Sequence, residues 1–329
     1  IVFGDWSSDV CSSDLVQTED HAGREELFTQ DYAYFSSFSS SWLAHAQAYL
    51  AKMQELLHLD ADSLVAEVAA NDGYLLQYVQ KAGIPCYGVE PTASTAAAAK
   101  EKGIDIVERF FGVELAEELA AAGRSADLMA ANNVLAHVPD INDFFAGFAL
   151  LLKPAGVATV EFPHLLNMAL ENQFDTAYHE HYSYLSLTTV EKVFNANGLS
   201  IFDVEEIPTH GGSLRVYAQR ASSGVRQRTG RPDTILQHEA AAGMHSSAFY
   251  EAFQAKAEQV KNRLLAFLLD ARNQNLKVAA YGAAAKGNTL LNFAGVRPDL
   301  LPYVVDKNPA KQRSEERRVG KECKSRWSR

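Results

Sequence analysis

The segment from Asp175 to Ser186 reads DTAYHEHYSYLS and is dense in side chains that can do chemistry. His179 and His181 flank Glu180, and the segment contains three tyrosines within a span of seven residues. Histidine exchanges protons near neutral pH and is also a common metal ligand. The segment taken alone is therefore compatible with acid–base catalysis, with a metal site or with a polar part of a sheet.

A second group of candidate residues follows predicted strands in the first half of the chain. The turn EVAANDG ends at a glycine that opens a helix, and the next strand ends at Glu90 in GVEP. A carboxylate at the end of that strand can accept both hydroxyls of a ribose. The turn lacks the G-x-G-x-x-G that a pyrophosphate requires, which disfavours NAD and favours S-adenosylmethionine. The predicted cofactor-binding residues are Glu67, Ala69, Asn71, Gly73, Glu90, Phe110, Phe111, Asn132 and Asn133.

Each member of this group has a proposed part in holding a nucleoside. Ala69 is small enough for a ligand to approach the backbone closely. Phe110 and Phe111 offer an apolar face to an adenine, and Asn132 and Asn133 offer amides to the sulfonium and amino-acid end. Any one of these residues is ordinary by itself, so the prediction depends on their order along the chain.

The elements that must position these residues alternate between strands and helices. Apolar runs of strand type occur at SLVAEV, CYGVE, IDIVERFF, ADLMAAN and GVATVEF, and helical patterns lie between them. A KPAG turn is predicted before the fifth strand. This alternation indicates an α/β fold with a parallel sheet, whose ligands bind at the carboxyl ends of the strands. After residue 163, two β-rich runs joined through THGGS are expected at the far edge of the same sheet.

A smaller unit with the same logic is predicted near the end of the chain. A charged helical segment covers about residues 232–274, and the stretch YGAAAKGNTLL then joins a strand to a helix through small residues. Such a turn can hold a phosphate at a helix N-terminus, with Lys286 as its cation, although it is not a Walker motif. A tight packing turn between strand and helix is the alternative.

Composition excludes several classes of protein. The chain has 329 residues, 47% of them hydrophobic, and a formal net charge of −11. That length favours two domains, and the acidic balance disfavours binding to nucleic acid. No apolar run is long enough for a transmembrane helix, so no membrane partner is expected. Three scattered cysteines do not make a disulfide framework, which predicts a cytoplasmic protein.

The two ends of the chain differ in texture from the rest. Residues 1–15 contain GDWSSDVCSSDL, and residues 313–329 read RSEERRVGKECKSRWSR. Both resemble translated sequencing-adapter DNA, and we exclude them from the fold prediction as foreign scars. Natural polar tails are the alternative. The remainder is expected to be an internal fragment of a longer protein.

Several motifs together resemble one enzyme family. In chain order they are LVAEVAANDGYLL, GVEPT, ANNVLAHVPD, EFPHL, YHEHYSYLS and HGGSLRVY. They are similar to the S-adenosylmethionine-dependent sugar C-methyltransferases, which act on nucleotide-linked 4-keto-deoxysugars, and the resemblance extends over nearly all of residues 16–312. It implies a class I methyltransferase Rossmann-like sheet followed by a truncated second Rossmann-like domain. Members of the family also carry zinc in an N-terminal module with Cys-x-x-Cys pairs. This sequence has no such pair, so no zinc is predicted in it.

The resemblance also implies boundaries and partners. We expect an N-terminal remnant with a lead helix at residues 16–60, the methyltransferase domain at 61–222, and a nucleotide-sugar-binding domain at 223–312. A nucleotide sugar is the expected partner, and a monomer is the expected state, although the sequence does not determine the latter.

The resemblance assigns roles to single residues as well. His181 is implied as the base that removes a proton next to the ketone, and Glu180 as a group that orients the sugar. Tyr178, His137 and Tyr32 are implied in the sugar pocket. His210, Gly211, Gly212, Ser213 and Lys286 are implied in binding the substrate nucleotide. His179 is expected to have a packing or hydrogen-bonding role only.

Competing functions stay open at this point. One is an O- or N-methyltransferase of another small molecule, which would need no base for a carbon acid. Another is an NAD-binding or non-catalytic protein with the same fold. For the YHEHY segment itself, a metal site and a purely structural polar cluster are the alternatives.

Overall fold

A computed structural model of the chain describes residues 15–18, 23–28 and 34–306. Tyr32, predicted as an active-site tyrosine, lies outside these residues, and so does nearly all of both adapter-like ends. The described residues form two compact units. The larger unit contains residues up to 167 together with 182–245, and the smaller unit contains residues 168–181 and 246–306.

The bounds of the regular elements follow chain order. The strands are β1 (Val16–Gln17), β2 (Val65–Val68), β3 (Cys86–Val89), β4 (Ile106–Val107), β5 (Ala126–Asn132), β6 (Leu152–Pro163), β7 (Ser183–Tyr184), β8 (Leu199–Ile207), β9 (Ser213–Arg220), β10 (Ala280–Tyr281) and β11 (Val304–Val305). The α-helices are α1 (Arg24–Leu27), α2 (Ser40–Leu57), α3 (Leu76–Lys81), α4 (Ala93–Glu101), α5 (Val113–Ala121), α6 (Ile141–Leu151), α7 (Leu165–Leu170), α8 (Leu187–Ala196), α9 (Arg231–Ala242), α10 (Glu251–Asn273) and α11 (Ala285–Phe293).

A seven-stranded sheet organises the larger unit, with the strand order β4-β3-β2-β5-β6-β9-β8. The first five strands are parallel, β9 is antiparallel to β6, and β8 is antiparallel to β9. Strands of a parallel sheet are buried on both faces, and this explains why their sequences are continuously apolar. The topology confirms the predicted class I methyltransferase Rossmann-like fold, with the THGGS hairpin at the far edge.

Apolar side chains cover both faces of the sheet. On one face, Phe145 and Phe148 of α6 are fully buried in a cluster that also includes α5 and α8. On the other face, Met53 of α2 is fully buried in a cluster with α3 and α4. The sheet is thus enclosed between two helical layers, and its polar groups are accessible chiefly at the strand ends.

Helix α2 is the lead helix that the sequence predicts within residues 16–60. The Ser39 hydroxyl accepts a hydrogen bond from the Trp42 N–H at 3.2 Å, as an N-cap serine does. The helix is followed by His58, whose backbone is left-handed with φ of 53°. Its buried residues Ala46, Tyr49, Leu50 and Met53 have helical spacing.

Some predicted elements differ in the structure. Of the predicted third strand, IDIVERFF, only Ile106–Val107 pairs with a neighbour, and the two phenylalanines follow it outside the sheet. The predicted KPAG turn lies inside β6, next to a register shift against β5. The charged helical segment is divided into α9 and α10, because Gly243 ends α9 in a left-handed conformation.

The smaller unit contains the predicted strand, turn, helix and strand in that order. Strands β10 and β11 are parallel, and α11 lies between them in sequence. Leu268 of α10, Leu291 of α11 and Val304 of β11 belong to one apolar cluster. Its assignment to nucleotide-sugar binding stays a prediction.

The division into compact units does not coincide with the predicted boundary after residue 222. Helix α9 packs on β8 and α8 and therefore belongs to the larger unit, while residues 168–181 belong to the smaller one. Within the described part of the chain, no helix combines the length and apolarity needed to cross a membrane.

Candidate active site

A cleft lies where the parallel strands of the larger unit end. Its empty space, counted out into the solvent at its open mouth, is about 990 Å³. Most of the predicted cofactor residues line it: Ala69, Asn71, Glu90, Phe110, Phe111, Asn132 and Asn133. The parallel sheet brings these residues together because its strands all end at the same edge.

Glu90 has the geometry expected of a ribose-binding acid. Its Oε2 accepts the Asn71 N–H at 2.9 Å, and its Oε1 accepts the Thr92 N–H at 3.0 Å. These two bonds fix the orientation of a carboxylate that is only 4% exposed. Each oxygen still has a second lone pair, so the pair of oxygens can accept two ribose hydroxyls.

Asn71 organises the cleft wall with its side chain. Its Nδ2 donates to the Tyr34 carbonyl at 3.0 Å, and its Oδ1 accepts the Ser36 N–H at 2.9 Å. These two bonds tether residues 34–36 to the cleft wall, and the contact of Asn71 with the cofactor stays a prediction.

The asparagines at the end of β5 present polar atoms that lack partners. Asn132 donates from Nδ2 to the Tyr74 hydroxyl at 3.2 Å, but its Oδ1 has no hydrogen-bond partner among the described residues. Both side-chain polar atoms of Asn133 are buried and similarly unpaired there. Buried polar groups are normally satisfied, so these amides are suited to a polar ligand. Together with Glu90, they fit the predicted S-adenosylmethionine.

The two phenylalanines differ in their surroundings. Phe111 is 7% exposed and makes edge contacts with Phe144 and Phe148 at 5.6 and 5.3 Å between ring centroids. The guanidinium of Arg24 lies 4.5 Å from the ring centroid of Phe110. Phe111 is thus mainly a core residue whose edge reaches the cleft, whereas Phe110 presents a ring face that a cation already contacts.

Two predicted cofactor residues do not line the cleft. Glu67 is fully buried in β2, beneath the cleft floor. Gly73 has φ of +74°, and a Cβ on it would lie 2.3 Å from Cδ1 of Ile104. Its lack of a side chain is needed for packing, so we assign it a structural role in place of ligand contact.

Glu67 nevertheless affects the electrostatics of the site. Burial raises the pKa of its carboxyl well above the usual value, the Tyr74 hydroxyl opposes this, and the charges of Asp72 and Glu90 add to it. Burial also raises the pKa of Tyr74 well above its ordinary value. The raised pKa values favour the protonated, uncharged form of both groups.

Two histidines of the predicted substrate side line the cleft. His137 ends a short 3₁₀ turn and makes an edge contact with Phe28 at 5.7 Å. His210 lies in the loop before β9 with φ of 55°, and its ring contacts the edge of Trp42 at 5.3 Å. Both positions agree with the sequence expectation that these side chains face a ligand.

The rest of the HGGS loop does not line the cleft. The Ser213 hydroxyl is buried and donates to the Thr209 carbonyl at 2.9 Å, and this holds the loop closed. Gly211 and Gly212 have φ of 87° and 99°, and a Cβ on Gly212 would lie 2.5 Å from Nδ2 of Asn167. These three residues therefore shape the loop that carries His210, and the predicted contact of Ser213 with a diphosphate is not supported by this geometry.

The YHEH residues belong to the smaller unit and form a turn, not a strand. His179 is exposed, whereas His181 is 7% exposed and its ring packs against that of Tyr178 with centroids 4.2 Å apart and planes 36° apart. The two histidines therefore do not lie on one face of a strand. No group of three metal-binding side chains occurs in the residues that the structure describes.

The tautomer of His181 follows from one hydrogen bond. Its Nδ1 lies 2.9 Å from the backbone carbonyl oxygen of Thr176. A carbonyl can only accept, so Nδ1 carries the proton and the lone pair of the neutral ring is on Nε2. This arrangement gives His181 a basic nitrogen in a defined orientation. Glu180 lies beside it in the same turn.

The predicted phosphate turn of the smaller unit has a carboxylate at its centre. Lys286 is the second residue of α11 and is half-buried. The Ala283 N–H donates to Oδ2 of Asp306 at 2.8 Å, so this N–H is engaged by the protein itself. A role for Lys286 in binding a nucleotide sugar stays a prediction.

Sequence reasoning missed several residues that line the cleft. They include Arg24, Tyr34, Trp42 and Tyr74. Trp42 lies in the first turn of α2, and Tyr34 lies two residues after Tyr32. An aromatic residue on the first turn of a helix that precedes a ligand-binding strand is the signal that could have identified Trp42.

Comparison with known proteins gives two family matches. Residues 42–204 match the family described as a methyltransferase domain, and residues 208–315 match the family described as the C-methyltransferase C-terminal domain. The two matches meet near the start of β9, and between them they cover most of the chain.

Individual proteins are similar to this chain at different levels. The C-methyltransferase NovU of Streptomyces niveus is 30% identical over 303 residues, covering 92% of this chain and 72% of that protein. A ubiquinone biosynthesis O-methyltransferase of Rhizobium leguminosarum bv. trifolii is 27% identical over 155 residues, covering 42% of this chain and 60% of that protein. Magnesium protoporphyrin IX methyltransferase from Synechocystis PCC 6803, solved with bound SAH, has a TM-score of 0.44 and 17% identity, covering 54% of this chain and 83% of that structure.

Proposed function

This chain belongs to the C-methyltransferase family, and we propose that it uses S-adenosylmethionine to methylate the carbon next to the ketone of a nucleotide-linked 4-keto-deoxysugar. The finer parts of this proposal are the sugar and the enolate mechanism. They are supported by the motif resemblance and by the tautomer of His181, whose Nδ1 carries the proton.

Residues of the cleft would hold the cofactor. Glu90 would accept the ribose hydroxyls, Phe110 would contact the adenine, and the unpaired amides of Asn132 and Asn133 would bind the amino-acid end. When bound, S-adenosylmethionine supplies a methyl group activated by the positive charge on sulfur.

The observation that carries the mechanism is the hydrogen bond from His181 Nδ1 to the Thr176 carbonyl. With the proton on Nδ1, Nε2 can remove a proton from the carbon next to the ketone and leave an enolate. The adjacent ring of Tyr178 limits rotation of the imidazole. A base held in one orientation contributes about 10²- to 10⁴-fold to a proton transfer. His137, Tyr178, Glu180 and Tyr32 are proposed to line the sugar pocket and stabilise the enolate oxygen.

Incubation of nucleotide 4-keto-sugars with S-adenosylmethionine tests the substrate class. We expect mass spectrometry to find a product heavier by one methylene group, with the new carbon bonded to carbon. A product methylated on oxygen or nitrogen would instead support the second class of methyltransferase. Tight NAD binding without S-adenosylmethionine binding in calorimetry would contradict both.

The base has a separate test. We expect His181→Asn to lower turnover by at least about a hundredfold and to abolish deuterium exchange at the α-carbon measured without S-adenosylmethionine. His179→Asn is the matched control, because His179 is exposed in the same turn and has no proposed part in the proton transfer. Equal activities of the two variants would exclude His181 as the base.

A further inference from the structure

A polar cluster lies between α2 and the sheet of the larger unit, next to the cleft but outside its lining. It consists of His45 from α2, Glu161 from β6 and Arg215 from β9. Nε2 of His45 lies 2.9 and 3.1 Å from the two Glu161 oxygens, and Nε of Arg215 lies 2.6 Å from Oε1. Glu161 and Arg215 are direct partners in the antiparallel register of β6 and β9.

Nε2 of His45 is the meeting point of this His45–Glu161–Arg215 cluster. It lies within hydrogen-bond distance of the Glu161 carboxylate, which only accepts, and 3.1 Å from Nη2 of Arg215, which only donates. Burial raises the pKa of Glu161, but the His45 hydrogen bond and the Arg215 charge outweigh it and hold that pKa below its usual value. Glu161 is thus a buried anion with His45 on one side and Arg215 on the other.

Stability alone is a poor reason for such a cluster. The Glu161 side chain is fully buried, and that of Arg215 is 6% exposed. Buried ion pairs frequently contribute no more to stability than apolar residues of the same volume, because both charges lose their hydration. What the cluster does supply is a fixed position for the imidazole of His45.

The ring of His45 in turn supports an aromatic wall of the cleft. Trp42 lies one helical turn earlier and stacks on His45, with centroids 4.9 Å apart and planes 20° apart. The edge of Trp42 contacts His210, and both residues line the cleft. Buried Glu161 is therefore connected to the cleft through two stacked rings.

The Trp42 wall extends from the His210 end of the cleft towards its middle. Glu90 follows β3, whereas His210 precedes β9, and β2, β5 and β6 lie between those strands, so four inter-strand spacings of about 4.8 Å separate the two strand ends by about 19 Å. The Trp42 ring also lies 5.7 Å from the ring of Tyr74, which follows β2. The His210 end of the wall is thus the end far from the ribose acid.

We infer that His45 is a positioning residue, held by Glu161 and Arg215, that fixes Trp42 as a platform for the apolar face of the acceptor's sugar ring. This inference rests on the proposed function, because it takes the acceptor to be a sugar. Neither His45 nor Glu161 touches the reacting atoms in this account. Their effect is on the acceptor's binding through Trp42.

Variants of His45 separate positioning from folding. His45→Ala removes both the ring and the bond to Glu161, and His45→Phe keeps a flat ring against Trp42. Tyr49→Phe is the matched control on the same helix, because it removes the buried hydroxyl next to Thr159 without touching Trp42.

We expect His45→Ala to raise the acceptor's KM about tenfold, as the loss of one aromatic pair can, with kcat and the Kd for S-adenosylmethionine changed less than threefold. We expect His45→Phe to stay within about threefold of the wild type.

Fluorescence of Trp42 provides a readout that needs no substrate. Trp6 and Trp327 are the other two tryptophans of the chain and can be replaced by phenylalanine, which leaves Trp42 as the emitter. We expect acrylamide to quench Trp42 more strongly in His45→Ala than in Tyr49→Phe. Unchanged quenching, or a loss of thermal stability in His45→Ala with no change in the acceptor's KM, would overturn the inference. If the wild type methylates no sugar in the panel, the proposed function fails, and the quenching comparison still decides whether His45 positions Trp42.

Discussion

Ala69 carries backbone strain at the floor of the cleft. Its φ is 58°, in the left-handed region, which costs an L-residue about 1–2 kcal/mol. Glycine adopts this conformation without that cost, so the chain tolerates an alanine where the backbone favours glycine.

Replacement of Ala69 by glycine should relieve that strain. We expect Ala69→Gly to raise the free energy of unfolding by up to about 1 kcal/mol, measured by urea denaturation. Ala66→Gly in β2 is the control, because its backbone is ordinary strand, and it should lower stability by about 0.5–1 kcal/mol. Equal losses in the two variants would refute the account of Ala69.

Glu67 makes the stability of the larger unit depend on pH. Its raised pKa means that the folded protein keeps a proton which the unfolded chain releases above about pH 4.3. Stability therefore falls as pH rises from that value towards the folded pKa. We expect the stability of Glu67→Gln, which stays neutral, to rise relative to the wild type when chemical denaturation at about pH 8 is compared with that at about pH 5. The control is Glu55→Gln, on the exposed side of α2. Its stability should differ from that of the wild type by the same amount at these two pH values.

At the scale of elements, helices α8 and α9 are joined by one buried carboxylate. Glu239 of α9 accepts the backbone N–H groups of Leu187 and Thr188 at 2.6 and 2.9 Å, in the first turn of α8. It also pairs with Nε2 of His164 at 2.7 Å. A negative charge at a helix N-terminus is favourable, and here it is fully buried. Burial raises its pKa, but the hydrogen bonds from His164 and Thr188 prevail and lower it.

Loss of this carboxylate should be severe. We expect Glu239→Gln to lower the free energy of unfolding by about 3 kcal/mol, because a buried histidine then loses its charged partner. Since the folded pKa of Glu239 is depressed, its contribution is complete above about pH 4.3 and is lost as pH falls through the folded value. The difference between wild type and variant should therefore shrink in acid. Ser186→Ala removes only the N-cap of α8 and should lower the free energy of unfolding by about 1 kcal/mol. If Ser186→Ala lowered it as much as Glu239→Gln does, the buried carboxylate would have no larger effect than an ordinary helix cap.

Elements were predicted well where the apolar pattern was long. The strands β5, β8 and β9, and the place of the last two at the far edge of the sheet, follow from periodicity and turn residues. The short β4 and the irregular start of β6 were mispredicted, because pairing with neighbours, not local preference, decides where a strand at an edge or a bulge ends.

At the scale of the whole molecule, ligand binding should be visible as stability. A ligand that binds only the folded state at 100 times its Kd adds about 2.7 kcal/mol. We expect S-adenosylmethionine to raise the melting temperature and NAD to leave it unchanged. Glu90→Ala should weaken S-adenosylmethionine binding at least about tenfold in calorimetry, while Glu108→Gln, an exposed acid beyond β4, should not. Wild-type affinity in Glu90→Ala would exclude Glu90 as the ribose acid.

The sequence by itself determined the alternation of elements, the place of Glu90 after a strand and the chemical character of the YHEH segment. These properties are local, since apolar periodicity and residue type are visible in one stretch of chain. The tertiary structure decided which distant residues meet. His45, Glu161 and Arg215 converge only because β6 and β9 pair in one register beneath α2. The left-handed backbone of Ala69 is likewise not visible in the periodicity of the sequence. The tautomer of His181 also depends on the fold, because the hydrogen bond to the Thr176 carbonyl fixes the position of its proton.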